Sequence, residues 1–552
     1  MSARQRVAVV TGGGGGIGAA IAEELGRSGW YVVTLDPLVT LDGAERLPEP
    51  HETTAGRIVA AGGTAQASSA SVTDGEAVTA LFRQLVEERG GIDAVVNVAG
   101  ITRQTGFAHG SEEDWRAVLD VHLGGYLNVL AAALPLMAAA GHGRVLGVTS
   151  GSGWRAADAG AYSCAKRAVA SLTWQLGRAS PPGVTVNAIS PIAATRMVAA
   201  AQERARQMAR SGGGGGLSLF KSMPGPEDLG PLGRHLVGEE FGWCNGRVLF
   251  AGGSEVALID EPRLLEVVRS DGGAPIASVL ETVAPRAFAT AEASQASGGG
   301  GNPRFGAIFT DPPGELASGS VRTCAVVTDR PRLGTAVIEA LEARSVTCRR
   351  AGPARGFGGA TAALKAVAEE LGPVDAVVVA LACRQSTVDA SGAWERTLGE
   401  HAGIVDDIHT DAGWCRAVAD YAAERGGPVR VVTVADAVTA GGRSRAQAAA
   451  QLARVGGATT DGRVAAFAVS METTEDAASD PVGELVAHLV AHPDAAGLAG
   501  AELATGGSWL GLRSHPRPLG TLTYGGPALP AWFDDTLQEI AGGISDAPRE
   551  EA

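Results

Sequence analysis

The chain has little lysine. Three of its 552 residues are lysine (Lys166, Lys221 and Lys365), and all other Lys/Arg positions are arginine. A mechanism that needs an ammonium group therefore has few places to look. Cysteine is scarce as well. The six (Cys164, Cys244, Cys324, Cys348, Cys383 and Cys415) form no C-x-x-C pair, which excludes a disulfide framework and points to a reducing compartment. No apolar run reaches the roughly 18 residues of a membrane span, and the stretch from Met1 to Gly13 lacks the apolar core of a signal peptide. A cytoplasmic protein with no membrane partner is the expectation. Positive charge is also in deficit: 45 Lys+Arg against 60 Asp+Glu gives −15, a poor match to nucleic acid. What is abundant is glycine, 78 residues, fourteen of them in the runs Gly12–Gly16, Gly212–Gly216 and Gly298–Gly301.

The chain alternates. Val7–Val10 reads as a buried parallel strand, followed by a glycine turn, an apolar stretch at helical spacing over Ile17–Leu25, and a second strand at Trp30–Leu35. That is one βαβ unit. Further strands are expected at Ala94–Val98, Val145–Val148, Val184–Ile189 and Arg247–Phe250, with helices over 76–89, 112–140 and 161–179. The pattern then restarts. Cys324–Thr328 resembles Val7–Thr11, Val374–Val378 resembles Ile92–Val96, Arg430–Val432 resembles Arg144–Leu146, and Gly500–Ser508 resembles Gly246–Ser254. Four matches in one order make an internal repeat. The expected architecture is α/β: two Rossmann-like, doubly wound parallel-sheet domains in tandem. They are placed at residues 1–260 and 321–515. A linker carrying short helices occupies 261–320, and a tail with a short helix near 531–541 occupies 516–552.

The chemistry lies in the first copy. Gly12, Gly16, Ile17 and Gly18 sit between a strand and a helix, where a glycine turn admits a pyrophosphate onto free N–H groups. Asp36 follows the second strand, 18 residues after Gly18, and suits the ribose hydroxyls of NAD better than the 2′-phosphate of NADP. No Arg or Lys lies in the turn to offset it. Tyr162 and Lys166 are four apart on a helix, so they share a face. An ammonium there is expected to lower the tyrosine pKa, readying it for proton exchange with a substrate hydroxyl. Ser150, at a strand end, reaches the same oxygen. The pair His488 and His492 lacks a third ligand, so no metal is expected. Trp154 and Phe220 suit either the lining of the substrate pocket or packing. Cys164 has no base beside it and reads as packing.

In this order the motifs resemble the short-chain dehydrogenase/reductase family over residues 5–257. They are Thr11–Gly18, Asn97-Val98-Ala99-Gly100, Ser150, Tyr162-Ser163-Cys164-Ala165-Lys166, Asn187–Pro191 and Thr195. The resemblance implies Tyr162 as acid/base, Lys166 on the nicotinamide ribose and Ser150 on the substrate carbonyl. It implies that Asn97, Ala99 and Gly100 support the sheet and the adenine side, that Ile189 and Thr195 lie near the carboxamide, and that residues 197–235 form a substrate lid. The implied reaction is NAD-dependent interconversion of a small secondary alcohol and a ketone. Three positions depart from the family: His122 stands where an asparagine often holds the proton relay, Ser71 replaces an aspartate, and Ile192 follows Pro191 in place of glycine. An epimerase or dehydratase on this fold, or a non-catalytic NAD-binding sensor, would use the same residues.

The second copy lacks the set. Its turn is Thr328-Asp329-Arg330-Pro331-Arg332-Leu333-Gly334, its counterpart of Asn97–Gly100 lies near Val379–Ala382, and Gly442 and Ala446 fall where Tyr162 and Lys166 would be. It is expected to be silent and to serve as a built-in partner, an intrachain pseudo-dimer that leaves room for a further homodimer.

Overall fold

A computed structural model describes residues 4–155, 158–200, 223–269, 276–295, 320–384 and 390–542. In the first copy the elements run β1 (Val7–Thr11), α1 (Gly16–Arg27), β2 (Tyr31–Leu35), α2 (Thr54–Ala60), β3 (Thr64–Ser68), α3 (Gly75–Arg89) and β4 (Ala94–Asn97). Then come α4 (Glu112–Leu119), α5 (Gly125–Ala140), β5 (Gly143–Val148), α6 (Gly160–Ala179), β6 (Val184–Pro191), α7 (Gly230–Leu236), β7 (Val248–Gly252) and β8 (Glu255–Asp260). Between the copies lie β9 (Leu264–Arg269), α8 (Ile276–Val283) and α9 (Ala289–Ser294). The second copy comprises β10 (Thr323–Thr328), α10 (Pro331–Glu342), β11 (Thr347–Ala351), α11 (Phe357–Leu371), β12 (Ala376–Ala380), α12 (Ala393–Gly399), α13 (Ile404–Arg425) and β13 (Val429–Asp436). It continues with α14 (Ala440–Thr459), β14 (Val464–Met471), α15 (Glu475–Ala491), β15 (Glu502–Thr505) and β16 (Trp509–Arg513), and β17 (Arg517–Thr523) and α16 (Phe533–Gly542) follow.

The first sheet has the order β17-β8-β7-β6-β5-β4-β1-β2-β3 and the second β11-β10-β12-β13-β14-β15-β16-β9. The β-branched run Val7–Thr11 is wholly buried between β4 and β2, as a parallel strand covered on both faces must be. The second copy lacks a counterpart of β3, which accounts for part of its shorter length.

The edges of the two sheets are exchanged. β8 and β9 form one continuous arm, β16 and β17 another, and the arms pair antiparallel along their whole length. Glu255 faces Thr523 and Asp260 faces Arg517, then Leu264 faces Arg513 and Arg269 faces Trp509. At the crossing, Ser514 N donates to Arg263 O at 2.7 Å and Arg263 N to Ser514 Oγ at 2.9 Å. The packing therefore does not follow the contiguous division expected from the sequence. The 261–320 segment supplies the last strand of the second sheet, and its Leu280, Ala284 and Phe288 enter that copy's core. The 516–552 segment supplies β17 to the first sheet, with Leu522, Phe533 and Leu537 in its core. The Gly298–Gly301 run lies outside the described residues.

α6 and α14 pack together between the copies. α6 is rich in alanine and is buried on nearly all sides, which small side chains permit. In the midst of this contact lies Arg167, fully buried, donating to Gln447 Oε1 (3.0 Å), Gln451 Oε1 (3.3 Å) and Glu502 Oε2 (2.7 Å). Gln447 Nε2 donates to the other Glu502 oxygen. Helical residues Glu112–Ala140 are long and apolar enough to cross a membrane, but half of that stretch is buried in the protein, as a core helix would be.

Arg167→Met should be strongly destabilising, since it leaves Glu502 buried without its cation. A cost of about 3–5 kcal/mol is expected, read as a lowered urea midpoint. The Arg167→Met, Glu502→Gln pair should cost less than Arg167→Met alone. An additive loss would contradict the pairing.

Candidate active site

β1 ends at the glycine turn. Gly12 adopts φ +64°, and a Cβ there would lie 2.8 Å from Ala99 N, so the position requires glycine. Gly16, Ile17 and Gly18 form the first turn of α1. Its N-cap, Gly15, offers no side-chain acceptor, which leaves the first N–H groups open to an anion. Asn97 Oδ1 accepts from Thr11 Oγ1 (2.9 Å), and Thr11 Oγ1 in turn accepts from Val98 N and Ala99 N (both 3.1 Å). This knot ties the ends of β1 and β4 together.

Asp36 closes the other side of the turn. Its carboxylate accepts from Gly14 N (2.9 Å) and Leu38 N (2.8 Å). It borders a cavity of about 700 Å³ together with Gly12, Ala99, Gly100, Val72 and Val121. Ser71 lines the same wall. So does Arg46, which makes no side-chain ion pair among the described residues. A second cation, Arg196, stands 3.8 Å from where a Gly15 Cβ would be. The turn itself holds no Arg or Lys, yet folding brings Arg196 beside it and Arg46 to the cavity that Gly12 borders. Sequence reasoning missed both, because the contacts are made by folding; the position of Arg196 directly after Thr195 was the one available hint.

Ser150 follows β5 and caps the turn Gly151–Gly153, its Oγ accepting from Ser152 N (3.3 Å). Tyr162 and Lys166 lie on one face of α6, with Lys166 Nζ 5.6 Å from the Tyr162 ring centre and donating to Val148 O at 2.7 Å. The expected lowering of the Tyr162 pKa is not what the structure shows. Burial raises it, and a hydrogen bond from Ser150 opposes the rise. Burial also pushes Lys166 down to about 7, so its ammonium is itself costly in this site.

His122 sits in a π-helical turn, Asp120–Gly124, between α4 and α5. Its Nε2 lies 2.8 Å from Ile101 O and 3.2 Å from Ile101 N, and its ring meets Tyr162 edge-on at 5.0 Å. Burial, and then the charge of Lys166, push its pKa down to about 3, so it is neutral. Nδ1 has no partner among the described residues. A Cβ on Gly100 would lie 2.4 Å from His122 Cε1, so the larger ring makes glycine at residue 100 obligatory. Ile189 buries its side chain in the core and gives its carbonyl to Thr149 N (2.8 Å). Thr195 approaches the Gly16 side of the turn, 3.7 Å from a Cβ placed there.

Trp154 is not a pocket residue. It is buried among Ala170, Trp174 and Phe250. Phe220 and Lys221 lie outside the described residues, as does most of the 197–235 segment. Burial holds the Cys164 thiol far above its usual range. His488 and His492 stack at 4.6 Å, and no group of three metal-binding side chains occurs among the described residues.

In the second copy the equivalent crevice is filled by its own side chains. Glu475 accepts from Leu333 N (2.9 Å) in the first turn of α10, where a phosphate would otherwise find donors, and it pairs with Arg330 Nε (3.1 Å). Asp329 accepts from Ala382 N (2.8 Å). Beside the end of β12, Arg445 is buried against Asp411 (2.7 and 2.8 Å) and Leu381 O (2.9 Å).

A family model described as short chain dehydrogenase matches residues 6–206. The short-chain reductase protein NovJ of Streptomyces niveus is 39% identical over 203 residues, 36% of this chain and 74% of its own length. The acetoacetyl-CoA reductase of Allochromatium vinosum is 31% identical over 251 residues, 45% of this chain and 97% of its own. Among solved structures, the N-domain, with NADP, of a bacterial malonyl-CoA reductase aligns over 88% of this chain and 95% of its own, with a TM-score of 0.62. At 16% identity that likeness concerns fold alone.

Two expectations follow from the site. Between about 7 and the ordinary lysine value of 10.5, the unfolded chain holds a proton at Lys166 that the folded chain does not. Folding stability should therefore rise with pH across that window and level off below it. Relative to Lys166→Met, the wild-type melting temperature should gain as pH rises from 7 to 10.5; a constant difference would contradict the effect of burial. Second, Gly100→Ala should destabilise by about 1–3 kcal/mol through overpacking. His122→Asn in the same chain should recover most of that loss in a denaturant titration.

Proposed function

The chain belongs to the short-chain dehydrogenase/reductase family of nicotinamide-dependent oxidoreductases, and from that premise we propose that its first copy interconverts a small secondary alcohol and a ketone, with Tyr162 as acid/base. The observation that carries the reading is the convergence of Ser150, Tyr162 and Lys166 beside a glycine turn fitted for a pyrophosphate. The open N–H groups of α1, the close approach of Gly12 to Ala99 and the cavity bordered by Asp36 suit a dinucleotide. When bound, the nicotinamide supplies or accepts the hydride.

The remaining work belongs to the chain. The raised Tyr162 pKa keeps the phenol protonated at neutral pH, the form that donates to a carbonyl oxygen. Ser150, at the end of β5, would hold that oxygen. Lys166, near 7, can gain or lose a proton at working pH and so can restore the one Tyr162 gives up. Asp36 favours the free ribose hydroxyls of NAD over a 2′-phosphate, and Arg46, which lines the same cavity, moderates that preference. Acetoacetyl-CoA is a reasonable first substrate to test, because relatives of this chain are reductases of that thioester. One cofactor per chain is proposed, because Glu475 and Arg330 occupy the second phosphate position.

The test uses the full chain, NADH and NADPH, and a panel of ketones, β-keto esters and acetoacetyl-CoA. Turnover should fall by about 10²–10⁴ in Tyr162→Phe, with NADH affinity unchanged and NADH preferred to NADPH. Calorimetric titration should give one NADH per chain. Binding without turnover on any substrate would favour a sensor. A Tyr162-dependent product with no net change in NADH would favour an epimerase. Two NADH per chain would overturn the silence of the second copy.

A further inference from the structure

Ser150 stands on a tight turn. Gly153 N donates to Ser150 O (2.9 Å), Arg155 N to Gly151 O (3.0 Å) and Ser152 N to Ser150 Oγ (3.3 Å). The carbonyls of Ser152 and Arg155 point away from this turn, and both are held by a side chain of the other copy. Gln451 Nε2 donates to Ser152 O at 3.2 Å and to Arg155 O at 2.8 Å. Gln451 lies on α14 and is 1% exposed.

The orientation of that amide is not free. Its Oε1 accepts from Arg167 Nη1 (3.3 Å). A guanidinium only donates, so the amide must offer it oxygen and must turn its NH₂ toward the turn. Arg167 is itself fixed by Glu502 and Gln447. A single run of hydrogen bonds thus leads from Glu502 through Arg167 and Gln451 to the backbone that carries Ser150. The arrangement is not mirrored. The residue of α6 at the register of Gln451 is Ser171, whose hydroxyl meets Ser444 instead, at 3.1 Å.

We propose that Gln451, from the copy that has no catalytic residues of its own, is a positioning residue for Ser150. It clamps the 150–155 turn so that the serine hydroxyl stays on the Tyr162 side of the site. The inference rests on the reading of Ser150, Tyr162 and Lys166 as the reacting set.

A double-mutant cycle separates positioning from mere support. Hydride transfer is followed in single turnovers of the full chain, with NADH and the ketone turned over best in the panel above. Gln451→Leu should lower the rate about ten-fold in the otherwise wild-type chain and by less than about two-fold in a Ser150→Ala chain, because the effect passes through Ser150. NADH affinity, read by its fluorescence, should stay within about two-fold. Gln451→Leu also strands Arg167. Gln451→Glu is the second variant: it keeps an acceptor for Arg167 and removes the donors to the turn, and it should show the same loss. Amide hydrogen exchange over 151–155 should rise in both variants while that of β1 stays unchanged, a readout that needs no substrate. Equal losses with and without Ser150, or unchanged exchange at the turn, would overturn the proposal. Full activity in Ser150→Ala would overturn the reading of Ser150 itself.

Discussion

Arg167 is a charge with no access to water, one residue past Lys166, and the arrangement of both copies answers to it. A guanidinium in such a place is tolerable only if its donors are met and its charge is balanced. Neither condition can be satisfied by the first copy, because Gln447, Gln451 and Glu502 all come from the second. α6 is thereby anchored to the second copy one residue past Lys166. Tyr162 and Lys166 project from a helix whose position is set by electrostatic need as well as by packing. A site that must hold a phenol, an ammonium and a substrate oxygen within hydrogen-bond reach gains from such a support.

The exchanged arms act to the same end by a different force. Each sheet is closed by a strand that arrives from the other copy, so neither sheet ends where its own repeat ends. An unpaired hairpin edge at β8 or β16 would invite association with other chains. The crossed arms remove both hazards at once and place the joint between the copies in continuous backbone pairing. The degenerate copy is on this account a structural member of the active unit, even with its own crevice filled by Glu475, Arg330, Arg445 and Asp411.

Much of this could be read along the chain. Val7–Thr11 shows its burial in its β-branched composition, the glycine turn shows its context, and the Tyr162–Lys166 spacing shows its shared face. The repeat was plain from four short matches. The features that were not legible are those that depend on tertiary neighbours. Leu264–Arg269 looks like the start of a linker because its pairing partner lies more than two hundred residues away. The direction of the Tyr162 pKa follows from burial, which spacing does not reveal. Trp154 looked suited to a pocket and is core, since an aromatic near a site carries no label for which way it faces. Arg46 and Arg196 reach the cofactor site only once the loops are folded.

The asymmetry at Arg167 bears on why one chain carries both copies. Arg167 and Gln447 occupy the same register of α6 and α14 and touch each other. In a symmetric pair of identical copies, that contact would bring arginine against arginine, because an isologous interface joins each residue on its axis to itself. Two buried guanidiniums in contact would repel, and the first copy has Val248, not a carboxylate, at the register of Glu502. The bond from Arg167 to Gln447 is open only to copies that differ at that register. Once one copy is released from binding a cofactor, its helix can hold glutamines where its partner holds an arginine and a serine. On the proposed function, the silence of the second copy and its support of Ser150 are then two results of one broken symmetry.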